Sequence, residues 1–577
     1  MLHFKLRIVL AFLFFLGTHL QAQTNFVDIA QTSGVFINPG SLEYGSGISF
    51  CDFNNDGWDD ITLGTGSGRQ IEFFSNDQDG TFTREFFLTA DPSAQDRQVI
   101  WVDYDNDGDK DLYIASDANG SHLYNNDGSL NFTDVTAAAG LPVSNIYNWG
   151  ASWGDINNDG LLDVFISNRD DSLQQPNLLY QNNGDGTFTD ISTQAGIHNT
   201  SHLSFCSAFF DYNNDGWQDI YVANDKIFNE NFLYHNNGDG TFTNVAATAN
   251  VNIAIDAMST TIGDFNNDGW FDIYVSNTPI NGNVFLKNNG DGTFSDVTNS
   301  TNTEFNGFSW GAVFLDADND MNLDLYVSSS MDGSVPSLAS AAFYHNNGNE
   351  TFTIPEEGFQ NDTRISHSNA IGDIDNDGYP EIIVNNTNNA NMFLWKNQGD
   401  LSNNWLKVRL SGVQSNKDGI GSVIEISVDG NKQYRYTLCG EGYISQNSSA
   451  EFFGVGSYNV IDYVKITWLS GIVDYIENVN VNQELLVVEG SNQLSVKEKQ
   501  LKMSLNVYPN PVNGALNIIT QKKMTDVSVY NMLGQVVVNV QPNAVTGNID
   551  MTSLQSGAYF VKVTIGDVTE TVRIIKN

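Results

Sequence analysis

Short runs that combine apolar and polar residues dominate the pattern of the chain between residues 48 and 400. In one representative unit the runs GASWGD, DVFISN, NLLYQN and TFTDIS follow one another, separated by Gly, Asn and Asp. Runs rich in β-branched and aromatic residues and bounded by such turn residues predict β-strands. Each unit is therefore predicted to contain four short strands.

The unit occurs seven times, and equivalent aspartates are separated by 51, 52, 56, 53, 52 and 57 residues. A four-stranded repeat of about 50 residues predicts the blade of a β-propeller, so seven units make a seven-bladed ring. The seventh unit lacks its fourth strand, whereas residues 25–29 (NFVDI) look like the missing copy. We predict that this segment pairs into the last blade and closes the ring, because an open blade would expose a strand edge.

A nine-residue acidic loop of the form D-x-[DN]-x-D-x-x-x-[DE] precedes the second strand of each unit. Calcium takes about six to eight oxygen ligands, and such a loop can supply side-chain oxygens from positions 1, 3, 5 and 9 and a backbone carbonyl from position 7. Gly at position 6 permits a sharp turn. Met321 occupies that position in the sixth loop, which is therefore predicted to be the weakest site.

Asp, Asn and Gly also form ordinary turns, but seven copies in register favour metal binding. We predict up to seven structural Ca²⁺ ions. The predicted metal ligands, loop by loop, are Asp52, Asn54, Asp56, Trp58 and Asp60; Asp103, Asp105, Asp107, Asp109 and Asp111; Asp155, Asn157, Asp159, Leu161 and Asp163; Asp211, Asn213, Asp215, Trp217 and Asp219; Asp264, Asn266, Asp268, Trp270 and Asp272; Asp316, Asp318, Asp320, Asn322 and Asp324; and Asp373, Asp375, Asp377, Tyr379 and Glu381.

The charge balance supports cation binding. The chain has 25 Lys and Arg residues against 69 Asp and Glu residues, which gives a formal net charge of −44. Nucleic acid and anionic membrane surfaces require a basic face, so neither is an expected partner. A chain this acidic repels itself unless cations bind.

Residues 1–22 combine a short basic start, the apolar run IVLAFLFFLG and a small residue before Gln23, which predicts a secretory signal peptide. No other apolar run approaches the length of a membrane span, so we expect no transmembrane anchor. The chain has three cysteines. Cys51 and Cys206 each precede a metal loop and are predicted to be buried free thiols rather than part of a disulfide framework.

The repeat ends near residue 402. We predict an all-β chain with a seven-bladed propeller at 23–402, a small β-rich domain at 403–490, a linker at 491–502 and an antiparallel β-sandwich at 503–577. The linker is the charged stretch SNQLSVKEKQLK, and Gly, Pro and Asn turns separate the strands of the last domain.

Two resemblances add to this interpretation. The repeat block resembles the FG-GAP or VCBS class of calcium-binding propellers, the fold of the integrin α-subunit head, in which the metal loops join the first and second strands of a blade. The middle block resembles the ASPIC/UnbV domain through NNWLKVRLSG from Asn403, CGEGYISQNS from Cys439 and VKITWLSG from Val464. It has Phe452 where that family usually has His. A propeller followed by this domain is the arrangement of cartilage-acidic-protein-like secreted proteins.

The C-terminal block resembles the type A sorting domain of the type IX secretion system. It contains LNVYPNPVNGALNI from Leu505, VYNMLGQVV from Val529 and SLQSGAYFVKV before the final VRIIKN. The resemblance implies a Bacteroidetes-type bacterium, the secretion machinery as a partner, and removal of the tail on arrival outside the cell.

No catalytic residue is predicted, because no HExxH, CxxC or G-x-S-x-G motif surrounds His122, His198, His202 or His367. His235 and His345 occupy hairpin positions that carry Gln181 or Lys287 in sister units, and we interpret these positions as solvated surface. The variable loops opposite the metal loops form a candidate recognition face, although unconstrained surface loops would look the same. Its candidate residues are Arg169, Asp170, Asp225, Lys226, His198, His202, Arg364 and His367.

These observations predict an exported, non-enzymatic, calcium-binding propeller that mediates adhesion to, or recognition of, an extracellular protein or glycan. Two alternatives stay open. One is a carbohydrate-active or ester-cleaving enzyme that uses the propeller mouth, and the other is a structural component of a surface layer.

Overall fold

A computed structural model describes residues 25–577 except 67, 90–94, 119, 145, 173, 356–357, 400–401, 493–505, 521, 532–534 and 566–567. The predicted signal peptide at 1–22 and most of the predicted linker lie outside the described residues. The chain divides into two compact units, one ending at Gln493 and the other beginning at Leu494. This division falls within the predicted linker.

The repeat region forms antiparallel sheets of the predicted four strands, preceded by β1 (Phe26–Asp28). In chain order, the strands that the described residues place in seven sheets are β2 (Ile48–Cys51), β3 (Asp60–Leu63), β4 (Glu72–Asn76) and β5 (Phe82–Glu85); β6 (Asp96–Val102), β7 (Asp111–Ser116), β8 (His122–Asn126) and β9 (Phe132–Asp134); β10 (Asn148–Gly154), β11 (Asp163–Asn168), β12 (Leu178–Asn182) and β13 (Phe188–Asp190); β14 (Ser204–Phe210), β15 (Asp219–Asn224), β16 (Phe232–Asn236) and β17 (Phe242–Asn244); β18 (Thr261–Gly263), β19 (Asp272–Val275), β20 (Val284–Asn288) and β21 (Phe294–Asp296); β22 (Ser309–Leu315), β23 (Asp324–Ser329), β24 (Ala341–Asn346) and β25 (Phe352–Thr353); and β26 (Ser366–Gly372), β27 (Glu381–Asn386) and β28 (Phe393–Asn397). Two one-turn helices, α1 (Ala246–Ala249) and α2 (Thr298–Thr301), follow β17 and β21.

The apolar core of this region lies between neighbouring sheets. Phe53 of the first sheet's loop stacks on Trp101 of the second, for example, with ring centroids 4.9 Å apart. A separate cluster joins the seventh sheet back to the first, where Ile383 and Leu394 pack with Phe50 and Ile61. Each sheet therefore buries both of its faces, as the blades of a propeller do.

The N-terminal strand closes the last sheet, as predicted. β1 pairs antiparallel with β28, with Phe26 opposite Asn397 and Asp28 opposite Trp395. The side chain of Phe26 is buried and stacks on Phe359. The first strand of the described chain thus supplies the edge that the seventh unit lacks. The three cysteines are buried free thiols, which confirms the prediction for Cys51 and Cys206.

The middle block adds two sheets that share one core with Leu406, Ile424 and Trp468 among its members. Its strands are β29 (Asn404–Ser411), β30 (Val423–Val428), β31 (Asn431–Tyr436), β32 (Ser445–Gln446), β33 (Glu451–Gly456), β34 (Val460–Thr467), β35 (Val473–Asn480) and β36 (Gln483–Val488). β32 leaves this domain and pairs in parallel with β2 of the first propeller sheet.

The second unit has an apolar core and two antiparallel sheets of its own, in the orders β37-β38-β41 and β40-β39-β42-β43. Its strands are β37 (Asn506–Tyr508), β38 (Ala515–Ile519), β39 (Asp526–Tyr530), β40 (Val536–Val540), β41 (Thr546–Asp550), β42 (Gly557–Ile565) and β43 (Val568–Lys576). The all-β fold class is therefore confirmed. Among the described residues, no helix has the length and apolar character needed to cross a bilayer.

Candidate metal centres

Each acidic loop joins the first strand of a sheet to the second, and backbone amides hold its carboxylates in place. In the third loop, Asp155 accepts hydrogen bonds from the backbone N–H groups of Asp159 (3.1 Å) and Gly160 (2.7 Å). Asp163, at position 9, accepts from the backbone N–H groups of Ile156 (2.9 Å) and Asn182 (2.7 Å). Positions 1 and 9 are thereby fixed on either side of the loop.

The glycine at position 6 has the predicted conformation, with φ of +85° at Gly160. Met321 adopts the same φ of +85° in the sixth loop, although a side chain makes this region costly, by about 1–3 kcal/mol. The side chain of Met321 packs against the core of the middle domain, which offsets this cost. The sixth loop thus keeps the shape of the others.

The side chains of the loops fit a cation with oxygen ligands. Carboxylate oxygens of Asp103, Asp105 and Asp111 lie within 4.8 Å of one another, as do those of Asp373, Asp375 and Glu381 in the seventh loop. Several buried oxygens at these positions have no hydrogen-bond partner in the described structure. They are Asp109 Oδ1, Asn266 Oδ1, Asp318 Oδ1, Asp375 Oδ1 and Glu381 Oε1. Calcium would take such oxygens as ligands.

The electrostatics of the loops also favour a cation. Burial, reinforced by neighbouring carboxylates, raises the pKa of Asp60 to about 8 and that of Asp111 to about 9. Burial raises the pKa of Asp155 and of Asp211 to about 6. Ionised carboxylates are therefore costly at these positions unless a positive charge compensates them.

The residue at position 7 stabilises the loop through its backbone N–H group. The N–H groups of Trp58, Leu161, Trp217, Trp270, Asn322 and Tyr379 each donate to the carboxylate at position 5 of the same loop, at 2.9–3.0 Å. Asn157 and Asn213, at position 3, donate to that same position-5 carboxylate through Nδ2. Whether the position-7 carbonyls bind a cation stays a prediction.

A ring of asparagines links the loops, and the sequence analysis missed its role. Asn occupies position 4 of every loop with φ between +55° and +59°, and its Nδ2 donates to the position-6 carbonyl of the next loop. Asn106, for instance, donates to Gly160 O at 2.7 Å, and Asn376 of the last loop donates to Gly57 O of the first at 3.3 Å. The other members are Asn55, Asn158, Asn214, Asn267 and Asn319. The seven loops are therefore hydrogen-bonded head to tail in a closed circle.

A second asparagine, at the end of the third strand, connects six of the seven loops to the preceding one. The Nδ2 of Asn236 donates to Ile156 O of the third loop (2.8 Å) and to Gln218 O of its own loop (3.1 Å). Asn76 makes the equivalent bond to Ile374 O of the seventh loop at 2.9 Å. The Asn that ends each run such as NLLYQN was the sequence signal for this contact.

The middle domain covers the end of the propeller that carries the acidic loops. Lys407 Nζ lies 3.2 Å from Asp373 Oδ2, and Arg409 lies 3.6 Å from Asp52 Oδ2. The backbone of Gly454 approaches the sixth loop so closely that a Cβ there would lie 2.2 Å from Asp316 Oδ2. The loops thus form a docking surface for this domain as well as candidate cation sites.

Residues of the middle domain also fill the centre of the ring. Tyr443 is fully buried, its ring lies 5.0 Å from Trp310 and 5.7 Å from Phe205, and its hydroxyl donates to Tyr44 O. One residue per unit, six positions before the first Asp of each loop, contributes to this centre. These residues are Ser46, Arg97, Trp149, Phe205, Met258, Trp310 and His367. The regular spacing could have revealed them.

Four of the candidate recognition residues are buried and have partners within the chain. They are Arg169, Asp170, Asp225 and His367. Arg169 is buried, forms an ion pair with Asp225 at 2.8 Å and stacks on Phe205. Asp170 is also buried and accepts from Ser172 and the N–H groups of 174 and 175. His367 is buried against Trp310, and burial lowers its pKa to about 3.

The other four are partly or largely accessible. Lys226 pairs with Asp225 at 2.7 Å, and Arg364 lies over the ring of Phe393. His198 and His202 lie beside each other with ring centroids 5.3 Å apart. Asp225 therefore brings Lys226 and Arg169 together, whereas His198 and His202 form a separate pair.

The interpretation of His345 as solvated surface was wrong. Its side chain is buried, and Nδ1 lies 3.1 Å from Asp324 Oδ1 of the sixth loop. His235 makes the equivalent contact with Asp219 but keeps 26% of its side chain exposed. The same sequence position therefore differs in burial between sheets, which the sequence pattern does not reveal.

Comparison with known families identifies three kinds of domain. Residues 52–327 match the FG-GAP-like repeat in five overlapping segments, 412–494 match the ASPIC and UnbV family, and 506–577 match the secretion system C-terminal sorting domain. The chain thus carries segments that match FG-GAP-like repeats, an ASPIC and UnbV domain and a secretion system sorting domain. That sorting domain indicates export to the cell surface or the extracellular space.

Among individual proteins, the chain is similar to cartilage acidic protein 1. It is 27% identical to the Xenopus tropicalis protein over 318 residues, covering 49% of this chain and 48% of the relative, and 26% identical to the Homo sapiens protein over 314 residues, covering 49% and 47%. The chain therefore spans about half the length of these relatives.

Solved structures offer only distant likenesses. PorZ, a surface component of the type IX secretion system of Porphyromonas gingivalis, has 10% identity, covers 92% of this chain and 81% of its own, and has a TM-score of 0.19. A putative gluconolactonase has 9% identity, covers 66% of this chain and 94% of its own, and has a TM-score of 0.31. These scores are too low to support an argument.

Proposed function

We propose that this protein is an exported recognition or adhesion protein whose propeller is braced by structural calcium ions. The observation that carries the proposal is the closed ring of acidic loops with orphaned carboxylate oxygens. Cations in this ring would neutralise buried carboxylates and stabilise the surface on which the middle domain docks. The sorting tail would engage the type IX secretion machinery.

Calorimetric titration of the mature protein with Ca²⁺ tests the structural role of the metal. We expect several equivalents to bind, with modest affinities on the order of 10⁻⁴ to 10⁻³ M, as in extracellular calcium modules. Asp155→Asn, which preserves the shape of the side chain, should remove one equivalent, whereas Asp185→Asn in an exposed hairpin turn should remove none. Absence of calcium uptake by the wild-type protein would refute the proposal.

The recognition surface that we propose is the face opposite the acidic loops. In an antiparallel sheet, the connections after the second and fourth strands lie at the end remote from the first connection. These connections carry exposed apolar side chains, of which Ile280 is 85%, Phe228 69% and Ile227 62% exposed. Other exposed apolar residues in such connections include Val143, Tyr147, Phe308 and Val335. We take these side chains as the candidate contacts of this face, because contiguous apolar patches on a protein surface mark interaction sites.

A glycan array and a pull-down with extracellular proteins, both with the calcium-loaded mature chain, would identify the partner. The double variant Phe228→Ser/Ile280→Ser should weaken binding at least about tenfold, because burial of one such side chain contributes about 1.5–3 kcal/mol. Leu486→Ser is the matched control, since Leu486 is 57% exposed but belongs to the middle domain. Equal binding by all variants would place the contact elsewhere, and turnover of a polysaccharide or ester would favour the enzyme alternative.

A further inference from the structure

The sixth acidic loop differs from the other six in the ligands that surround it. Ligand atoms of Asp318, Asp320 and His345 lie within 4.8 Å of one another. The two other such clusters among the described residues, in the second and seventh loops, consist of carboxylates alone. An imidazole nitrogen is therefore present in this cluster, whereas the other two clusters present only carboxylate oxygens.

One oxygen of this cluster lacks a partner. Asp318 is only 4% exposed, and its Oδ1 has no hydrogen bond. The two neighbouring carboxylates are occupied, because Asp316 accepts from the N–H groups of 320 and 321 and Asp324 accepts from those of 317 and 346. Asp318 is thus a buried acceptor that needs a positively charged or donating ligand.

The middle domain shields this loop from solvent. Gly456 N donates to Asn319 O at 2.8 Å, and Asn403 Nδ2 donates to Asp318 O at 2.8 Å. Met321 replaces the glycine of the other loops and packs into the same domain. The carbonyl groups of Asp318 and Asn319 are therefore both held by the middle domain, which gives the site a fixed geometry.

Calcium is a hard cation that takes oxygen ligands, whereas imidazole suits zinc, iron, nickel and copper. We propose that the sixth loop binds a divalent first-row transition metal of the zinc class rather than calcium, with Asp318, Asp320 and His345 as ligands. This inference rests on the proposed function to the extent that the loops are cation sites. The inference assigns a transition metal to the sixth loop, while the other loops remain calcium sites under the proposed function.

The fourth loop offers a matched control. His235 contacts Asp219 at 3.1 Å as His345 contacts Asp324, but Asn213 replaces the Asp at position 3 and the side chain of His235 is 26% exposed. A histidine at this strand position is thus present in both loops, while the buried Asp–Asp–His cluster occurs in the sixth.

The test is a calorimetric titration of the mature protein with Zn²⁺ in the presence of excess Ca²⁺. We expect one equivalent of Zn²⁺ to bind despite the calcium. His345→Gln and Asp318→Asn should each reduce its affinity at least tenfold, and His235→Gln should leave it unchanged. Gln is native at the equivalent position 181, and an unchanged melting temperature in excess calcium would verify that His345→Gln folds.

Failure of Zn²⁺ to bind against calcium, or a zinc equivalent that is lost with His235 but not with His345, would overturn this inference. Calcium uptake by the other loops is measured separately on the same protein. If calcium binds and zinc does not, the inference is wrong and the proposed function stands. If zinc binds with the expected dependence on His345 and calcium does not bind, the proposed function is wrong and the inference stands.

Discussion

At the scale of single residues, the centre of the ring depends on side chains from distant parts of the sequence. Tyr443 belongs to the middle domain, yet it packs on Phe205 and Trp310 of the propeller and donates to the backbone of residue 44. Its aromatic ring therefore connects three segments that are far apart in the chain. Periodicity within one unit contains no information about such a contact.

Tyr443→Ala should lower the free energy of unfolding by about 3–5 kcal/mol, because it removes a fully buried aromatic ring and leaves a cavity. Tyr458→Ala is the control, since Tyr458 in the same domain is 37% exposed, and it should change stability by no more than about 0.5 kcal/mol. Urea denaturation in calcium measures both. Equal stability of the two variants would contradict the packing described for the centre.

The raised pKa values of the loop carboxylates predict how the stability of the cation-free protein depends on pH. Burial raises the pKa of Asp264 to about 7 and that of Asp155 to about 6, against an ordinary value of 3.8. In the cation-free protein their contribution to stability is fully present below about pH 4 and is lost as the pH rises through 6 to 7. The melting temperature of the chelated protein should therefore fall across this window.

Added calcium should oppose that fall, because it binds the ionised carboxylates. Calorimetric scans between pH 4 and pH 8, with a chelator or with excess calcium, test the prediction. If the melting temperature of the chelated protein instead rises with pH, these aspartates do not dominate the pH dependence of its stability.

At the scale of structural elements, two sets of asparagines join the acidic loops to one another. Position 4 of each loop is occupied by Asn in the sequence, but its partner lies in the next unit, more than 50 residues away. The sequence pattern could therefore identify the asparagine at position 4, but it could not identify the carbonyl group that this side chain contacts. Its left-handed conformation also suits Asn better than most residues.

Asn236→Ala should lower the free energy of unfolding by about 2 kcal/mol, since it leaves the carbonyls of 156 and 218 without this donor in a buried site. Asn237→Ala, one residue further and in an exposed turn, should have little effect. Chemical denaturation in calcium compares the two. A small effect of Asn236→Ala would mean that other donors reach those carbonyls.

Strand positions were predictable because apolar and aromatic residues alternate with polar ones between turn residues. The outermost strands are shorter than the runs that predict them. The run TFTDIS yields only Phe188–Asp190, because Asp190 accepts from the N–H and hydroxyl of Ser192 and turns the chain. His345 was misinterpreted for a related reason, as burial is set by the neighbouring sheet and domain.

At the scale of the whole molecule, the N-terminal strand holds the ring closed. Phe26 points inward against Phe343 and Phe359, whereas Val27, on the opposite face of the same strand, is 39% exposed. Phe26→Ala should lower the free energy of unfolding by about 3–5 kcal/mol. Val27→Ala should cost less than about 1 kcal/mol, and thermal melts in calcium would distinguish the two.

The insertion of residues 439–448 into the centre of the ring has a consequence for the order of events during synthesis. The first propeller strand, β2, pairs with β32 from a segment made nearly 400 residues later. A nascent chain in which all the repeats have been synthesised still lacks the residues that fill the centre of the ring. The packing at the centre of the ring is therefore completed only after residues 439–448 have been synthesised.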